Sequence, residues 1–244
     1  YINNKSIAEF SDFLKVVPLF KIFISPMFIS AFLAGVGCFW AMGFLTTWSP
    51  RYLSAVISTS PQMIGMISTL PWIFGALTLL FAGFLSKILM KKGGSVHKSL
   101  GCVFGCLILL SGVFFMILPY TTGIAAVCIL TVAAGMAMTF PLAPITLAYS
   151  ICSKQRAAVM ATVTALASLG GIISPSMVGM FMESAGYIQP IKGMLSDTAM
   201  LSKLVMGMNL SFSYIGIYLF MVGIVAIIFL NPDKTAKHLQ KDLE

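Results

Sequence analysis

The chain has 244 residues, of which 59% are hydrophobic and only 9% are charged. A soluble domain has about 25% charged residues, so this composition excludes an ordinary soluble protein and predicts several membrane crossings. The net charge of +8 would suggest a nucleic-acid partner if the cations formed one patch, but they lie between apolar segments. The five cysteines are scattered without metal-ligand spacing. We therefore expect no nucleic-acid partner, no metal site and no cofactor.

In chain order, residues 1–26 are mixed in character and predict a linker or an interfacial helix. Residues 27–231 contain six apolar segments, at about 27–50, 61–86, 99–119, 122–150, 156–182 and 208–230. Each is long enough to cross a hydrocarbon core of roughly 30 Å as a helix. Residues 232–244 predict a polar cytoplasmic tail. The expected fold is an all-α membrane protein with one bundle of six transmembrane helices.

The cations predict the orientation of the bundle. One side of the predicted membrane has twelve of the fifteen: Lys5, Lys15, Lys21, Lys87, Lys91, Lys92, Lys98, Lys154, Arg156, Lys234, Lys237 and Lys241. The other side has Arg51, Lys192 and Lys203. By the positive-inside rule both chain ends are cytoplasmic, in a plasma membrane or a bacterial inner membrane. The chain begins at Tyr1 without a signal pattern, so we expect a piece of a longer polypeptide.

The first apolar segment carries a stripe of aromatic and polar residues. Trp40, Phe44, Thr47 and Arg51 are spaced by 4, 3 and 4 residues, which predicts one shared helix face. Such groups at membrane depth usually face a bundle interior or a water-filled cavity. We interpret the stripe as one wall of a substrate pathway. The alternative for Arg51 is an interfacial anchor whose guanidinium reaches the headgroups.

The second segment has Thr69 and Trp72 on either side of Pro71, a proline that bends the predicted helix. The Trp72 indole N–H needs a partner, so Thr69 and Trp72 are candidate substrate contacts, with a packed kink as the alternative. The segment then ends in GFLSKILMKKGG, which predicts a basic turn between two helices. Candidate gating residues in it are Gly83, Ser86, Lys87, Lys91 and Lys92. The alternative is a solvated topology signal.

The fifth segment is rich in small residues. Ala167 and Gly171 are four residues apart, a pattern that permits close helix approach. Thr164 and Ser168 supply hydroxyls to the same segment, and Pro175 interrupts its hydrogen-bond ladder.

None of the seven carboxylates lies inside a predicted membrane segment. Proton-coupled transport commonly uses an intramembrane carboxylate or histidine, so this chain alone has no evident proton carrier. There is also no plausible Ser/His/Asp set or phosphate-binding loop, and we expect no enzyme.

A resemblance to a known family rests on four runs: WAMGFLTTWSPRYL (Trp40–Leu53), GMISTLPWIFG (Gly65–Gly75), GFLSKILMKKGG (Gly83–Gly94) and LGGIISP (Leu169–Pro175). In order and spacing they resemble the anion:cation symporter family of the major facilitator superfamily, in its C-terminal half. The resemblance covers about residues 27–186. It implies a half-bundle that pairs with an N-terminal six-helix half and moves a small organic anion together with a proton or a sodium ion. It also implies substrate contacts at Trp40, Thr47, Trp72, Tyr149, Thr164 and Ser168.

The sequence departs from the family pattern at three places. Lys87 stands where an acidic residue is usual, Thr164 and Ser168 stand where Asn is frequent, and Arg51 stands where a small polar residue is common. Two other readings stay open. One is a major facilitator exporter of a drug, peptide or siderophore, and the other is a six-span structural or interaction protein without a transported substrate.

Overall fold

The computed structural model describes residues 15–57, 59–188 and 198–241. Within these residues the chain is helical and has no strand. Its α-helices are α1 Leu19–Phe23, α2 Pro26–Thr47, α3 Ser49–Val56, α4 Pro61–Ile67, α5 Leu70–Lys91, α6 Cys102–Ile117, α7 Gly123–Ala137, α8 Leu142–Ala148, α9 Ser153–Ala167, α10 Leu169–Ser184, α11 Thr198–Phe229 and α12 Pro232–Lys241. A π-helical turn precedes α6 and a 3₁₀ turn follows it, at His97–Gly101 and Leu118–Tyr120.

Six stretches are long and apolar enough to cross a membrane, which confirms the predicted number. They are span 1 Pro26–Thr47, span 2 Pro61–Lys91, span 3 His97–Tyr120, span 4 Gly123–Ala148, span 5 Ser153–Ser184 and span 6 Ala199–Phe229. Span 2 is longer than predicted because its helix runs on through the lysines. Span 6 begins at Ala199 rather than near residue 208. Of the predicted linker, residues 1–14 lie outside the described part, and the predicted tail contains the helix α12.

Three of the spans are interrupted, and each interruption has a local cause. Span 2 breaks at Ser68–Thr69, just before Pro71, because Pro71 has no N–H to donate to the carbonyl four residues earlier. Span 4 breaks between α7 and α8, close to Pro141. Span 5 breaks at Ser168, where the hydroxyl donates to the Ala165 carbonyl at 2.7 Å. Serine and threonine hydroxyls of this kind satisfy backbone groups that a broken helix frees.

Spans 1 and 4 form the centre of the bundle, with 61% and 56% of their most apolar stretch buried. Span 1 packs against spans 4, 5 and 6, and span 6 also packs along span 3. The two most exposed spans are 2 and 5, at 17% and 28%. They lie on different flanks, since span 2 packs mainly on span 4 and span 5 mainly on span 1.

Glycines set the closest helix approaches. Spans 3 and 6 meet at two glycine pairs of seven-residue spacing: Gly105 and Gly112, and Gly216 and Gly223. A Cβ at Gly112 would lie 2.7 Å from the Gly216 carbonyl oxygen. Contacts this short are open only to glycine, so the two backbones pack almost directly on each other.

One end of the bundle gathers the first and last described residues and two of the connections, and we call it the basic end. There Gln155 at the start of span 5 donates to the Val17 carbonyl at 2.6 Å and accepts from its amide at 3.0 Å. Arg156 donates to the Ala148 carbonyl at 2.9 Å, at the end of span 4. His97 donates from Nδ1 to the Leu230 carbonyl at 2.9 Å. These contacts bring basic segments together at one end of the bundle, and the side of a membrane that this end faces stays a prediction.

Candidate functional site

The stripe predicted on span 1 is divided in the structure. Trp40 and Phe44 are buried and their rings stack, with 6.1 Å between centroids, whereas Thr47 and Arg51 are exposed. The helix α2 ends at Thr47, and Trp48 separates it from α3, which has Pro50 in its first turn. The expectation of one continuous face across all four residues is therefore wrong, because Arg51 belongs to a different helix.

Phe44 belongs to an aromatic cluster that joins spans 1, 3 and 6 to α3. Its ring lies 4.9 Å from Phe212 and 6.5 Å from Tyr52, in edge-to-face geometry. Phe212 also contacts Phe115, at 6.1 Å. Burial raises the pKa of the Tyr52 phenol. In this conformation Phe44 therefore packs in the core, and a substrate contact for it stays a prediction.

Trp40 lines a crevice between spans 1, 5 and 6, with a volume of about 260 Å³. Its other walls are mostly apolar and include Met177, Phe181 and Tyr214. The rings of Phe181 and Tyr214 stack at 4.9 Å. Trp40 thus borders an apolar crevice rather than a polar one.

The end of the bundle away from the basic end carries a free cation. The Arg51 guanidinium lies 5.6 Å from the Trp48 ring centroid, a cation–π contact. The Trp48 indole N–H donates to the Pro175 carbonyl at 3.2 Å and so ties the end of span 1 to span 5. No carboxylate in the described ranges forms an ion pair with Arg51, which leaves its charge available to a ligand.

Thr164 and Ser168 lie on span 5 and are both half-buried, but their hydroxyls differ. Ser168 donates to its own helix, as described above. The Thr164 hydroxyl makes no hydrogen bond within the part of the chain that the structure describes. Thr162, two residues earlier, donates to the Ala158 carbonyl at 2.8 Å. Thr164 therefore holds an available donor that its neighbours lack.

Thr69 and Trp72 lie at and just after the break in span 2, which packs on span 4 rather than on span 1. Thr69 is exposed and donates to the Met66 carbonyl at 2.7 Å. Trp72 is 42% exposed, and its indole N–H has no partner among residues 15–57, 59–188 and 198–241. The Trp72 N–H is therefore a second available donor. Thr47, by contrast, uses its hydroxyl proton on the Gly43 carbonyl at 2.6 Å.

Tyr149 lies one residue beyond span 4, at the basic end, where it is half-buried. Its neighbour Ala148 accepts the hydrogen bond from Arg156. This position is far along the span from the break near Pro141, so the structure separates Tyr149 from the other candidates on broken helices.

The predicted basic turn over Gly83–Gly94 is mostly helix, because α5 continues to Lys91 and nothing before Gly93 interrupts it. Gly93 has φ of +84°, a left-handed conformation that ends helices, and Gly94 N–H donates back to the Leu89 carbonyl at 3.0 Å. Of the five candidate gating residues, Gly83, Lys87, Lys91 and Lys92 are exposed. Ser86 is buried, and its hydroxyl has no partner in the described residues.

Sequence reasoning missed the character of the C-terminal segment. The tail was expected to be polar only, yet α12 is an amphipathic helix packed on the bundle. The signal was available in the sequence, since Lys234, Lys237, His238 and Lys241 recur at helical spacing.

Within the described part of the chain, no group of three or more His, Cys, Asp or Glu side chains could hold a metal ion. No protein-family model matches this chain, and no curated protein matches it. The resemblance to the major facilitator superfamily therefore rests on the four sequence runs, and the functional case rests on the geometry above.

Proposed function

We propose that this chain is one six-span half of a secondary transporter of the major facilitator type, and that its substrate is a small organic anion. The main support is that two hydrogen-bond donors, Thr164 O–H and Trp72 N–H, have no partner in the described residues and lie on the two most exposed spans. In the proposed carrier a second six-span half covers these flanks, and the two halves rock about a site between them.

The exposed face of span 5 supports a protein partner rather than lipid alone. In its first half, four exposed positions are alanines: Ala157, Ala158, Ala161 and Ala165. Small residues let another helix approach closely, whereas a face that meets only lipid has no need of them. Span 2 differs, since it exposes Phe81 and Phe84, each at 63%. Close approach of the second half is therefore proposed along span 5.

Anion binding is supported by the chemistry of the available groups. Hydrogen bonds in which the acceptor is ionised are roughly twice as strong as neutral ones. Thr164 and Trp72 can each donate one to a carboxylate without first breaking a bond in the protein. Arg51 adds an unpaired cation at the end away from the basic end, where it would attract anions. Broken helices at membrane depth commonly line binding sites, and Ser168 and Thr69 lie at such breaks.

The coupling ion, a proton or sodium, is assigned to the unseen half. The only carboxylate in a described span is Glu183, which lies one residue before the end of span 5 and is exposed. A coupling carboxylate at membrane depth would therefore come from the partner half.

The test is uptake by the natural polypeptide reconstituted in liposomes. A panel of labelled anions (a hexuronate, a dicarboxylate and an acidic amino acid) is offered under an imposed proton or sodium gradient. Thr164→Val should lower kcat/KM by roughly 10- to 100-fold, the loss expected for one hydrogen bond to a charged group. Thr162→Val is the matched control, since that hydroxyl is already engaged, and it should transport nearly as the parent does.

Three outcomes would count against the proposal. Equal effects of Thr164→Val and Thr162→Val would remove the donor from the site. Export of a drug, peptide or siderophore without anion uptake would favour the exporter reading. An intact natural polypeptide of about 26 kDa, near the 26.2 kDa of this chain, with no six-span partner would defeat the half-transporter reading.

A further inference from the structure

The helix α12 has two chemically opposed faces. Its buried side chains are Pro232, Ala236 and Leu239. Its exposed basic side chains are Lys234, Lys237, His238 and Lys241. Spacings of 3, 1 and 3 residues place these four side chains on one side of a helix, opposite the buried stripe. The only carboxylate of α12, Asp233, lies in its first turn, where its negative charge is stabilised by the positive end of the helix dipole.

Local hydrogen bonds hold α12 in place at the end of span 6. The Asn231 side chain accepts from the Lys234 amide at 3.2 Å, and the Thr235 hydroxyl donates to the Asn231 carbonyl at 2.9 Å. Ala236 packs against Cys152, in the connection between spans 4 and 5. The basic face is therefore presented in a fixed orientation rather than on a free tail.

A crevice of about 260 Å³ lies between the start of span 1, the end of span 6 and the first turns of α12. Two basic side chains, Lys234 and His238, line it together with Thr235. Its remaining lining includes Ile228 and Phe229, which are 56% and 45% exposed. The crevice thus joins a basic rim to an apolar wall that belongs to a membrane-spanning helix.

We propose that this crevice binds the headgroup of an anionic phospholipid. Lys234 and His238 contact the phosphate, and an acyl chain runs along Ile228 and Phe229. A free phosphate ion would make no use of the apolar wall, and a lipid without net negative charge would make little use of the basic rim. Basic clusters next to the end of a transmembrane helix are typical anionic-lipid sites.

The start of span 1 borders the crevice but is not the source of binding. The Ser25 hydroxyl donates to the Ile22 carbonyl at 2.6 Å and accepts from the Phe28 amide at 3.3 Å, so its hydrogen bonds are already used. The proposed binding comes from the basic side chains of α12, which attract the phosphate, and from the apolar side chains of span 6, which contact the acyl chain. It requires the chain to span a membrane, but it does not require transport.

The experiment is native mass spectrometry of the full chain in detergent with phosphatidylglycerol and phosphatidylcholine of identical acyl chains. Lys234→Gln/His238→Gln should weaken phosphatidylglycerol retention roughly tenfold, as expected for the loss of the two basic side chains that contact the phosphate. Phosphatidylcholine retention should not change. The matched control is Lys237→Gln/Lys241→Gln, which removes at least as much charge from the same face but leaves the crevice lining intact. It should retain phosphatidylglycerol within about twofold.

The variant Lys234→Arg/His238→Lys, which keeps a basic side chain at both positions, should also retain the lipid. If it loses binding as fully as the glutamine variant, the loss reflects disturbed packing and the proposal is overturned. Equal loss in the Lys237/Lys241 control would overturn it too, because the attraction would then be diffuse. Competition by inorganic phosphate as effective as that by phosphatidylglycerol would replace the lipid site with a phosphate site.

Discussion

Gly170 and Gly179 both lie in α10, and the structure gives them opposite surroundings. A Cβ on Gly170 would overlap the backbone of Val36 in span 1, whereas a Cβ on Gly179 would meet nothing within 4 Å. We predict that Gly170→Ala destabilises the bundle relative to Gly179→Ala. The same substitution in the same helix isolates the contact between spans 1 and 5.

The magnitude follows from two terms. Replacing glycine by alanine inside a helix gains up to about 1 kcal/mol, and this gain is common to both positions. Overpacking costs about 1–3 kcal/mol, and at Gly170 the obstacle is a carbonyl that cannot rotate away. Gly179→Ala should therefore be neutral or about 1 kcal/mol more stable than the parent. Gly170→Ala should be about 1–3 kcal/mol less stable than Gly179→Ala.

The assay is reversible denaturant unfolding of the purified chain in one detergent, followed by tryptophan fluorescence, with the parent measured alongside. A Gly170→Ala variant as stable as Gly179→Ala would refute the reasoning. It would mean that spans 1 and 5 do not approach each other at Val36.

Two further predictions concern the core and the basic end. Phe212→Ala should cost about 3–5 kcal/mol in the same unfolding assay, because Phe212 is fully buried among aromatic rings. Phe229→Ala should cost clearly less, because that side chain is already 45% exposed. Similar losses in both would contradict the burial argument. Arg156→Ala should lower the free energy of unfolding by about 1.5–3 kcal/mol, since its guanidinium donates to the carbonyls of Ala148 and Ile151. If hydrogen exchange shows the same protection of the span 4 backbone amides in Arg156→Ala as in the parent, Arg156 does not cap the end of span 4.

Proline made one of the three helix breaks foreseeable. Pro71 predicted a bend in span 2, and the break lies two to three residues before it. Pro175 was expected to interrupt span 5, but α10 continues through Pro175 and the span breaks at Ser168 instead. The shared face predicted for Trp40, Phe44, Thr47 and Arg51 depended on one continuous helix. In the structure α2 ends at Thr47 and Arg51 lies on another helix, and the spacing of residues does not reveal where a helix ends.

Which hydroxyls are available could not be predicted. Thr162 and Thr164 are the same residue type two positions apart, yet only the Thr162 hydroxyl is engaged by a backbone carbonyl. A choice of this kind depends on side-chain rotamers and on neighbouring helices. The glycine pairs of spans 3 and 6 were readable in principle, because Gly105 and Gly112 repeat the spacing of Gly216 and Gly223.

The sequence by itself determined the six helices that are long and apolar enough to cross a membrane, and the gathering of basic segments at one end. Hydrocarbon thickness and the cost of burying charge act on local composition, so local composition is sufficient for these features. Tertiary structure decided that spans 1 and 4 form the centre, that Phe44 packs in an aromatic core and that Lys234 and His238 border a crevice. These outcomes depend on which residues distant in the chain meet, because packing brings together side chains that no local pattern relates.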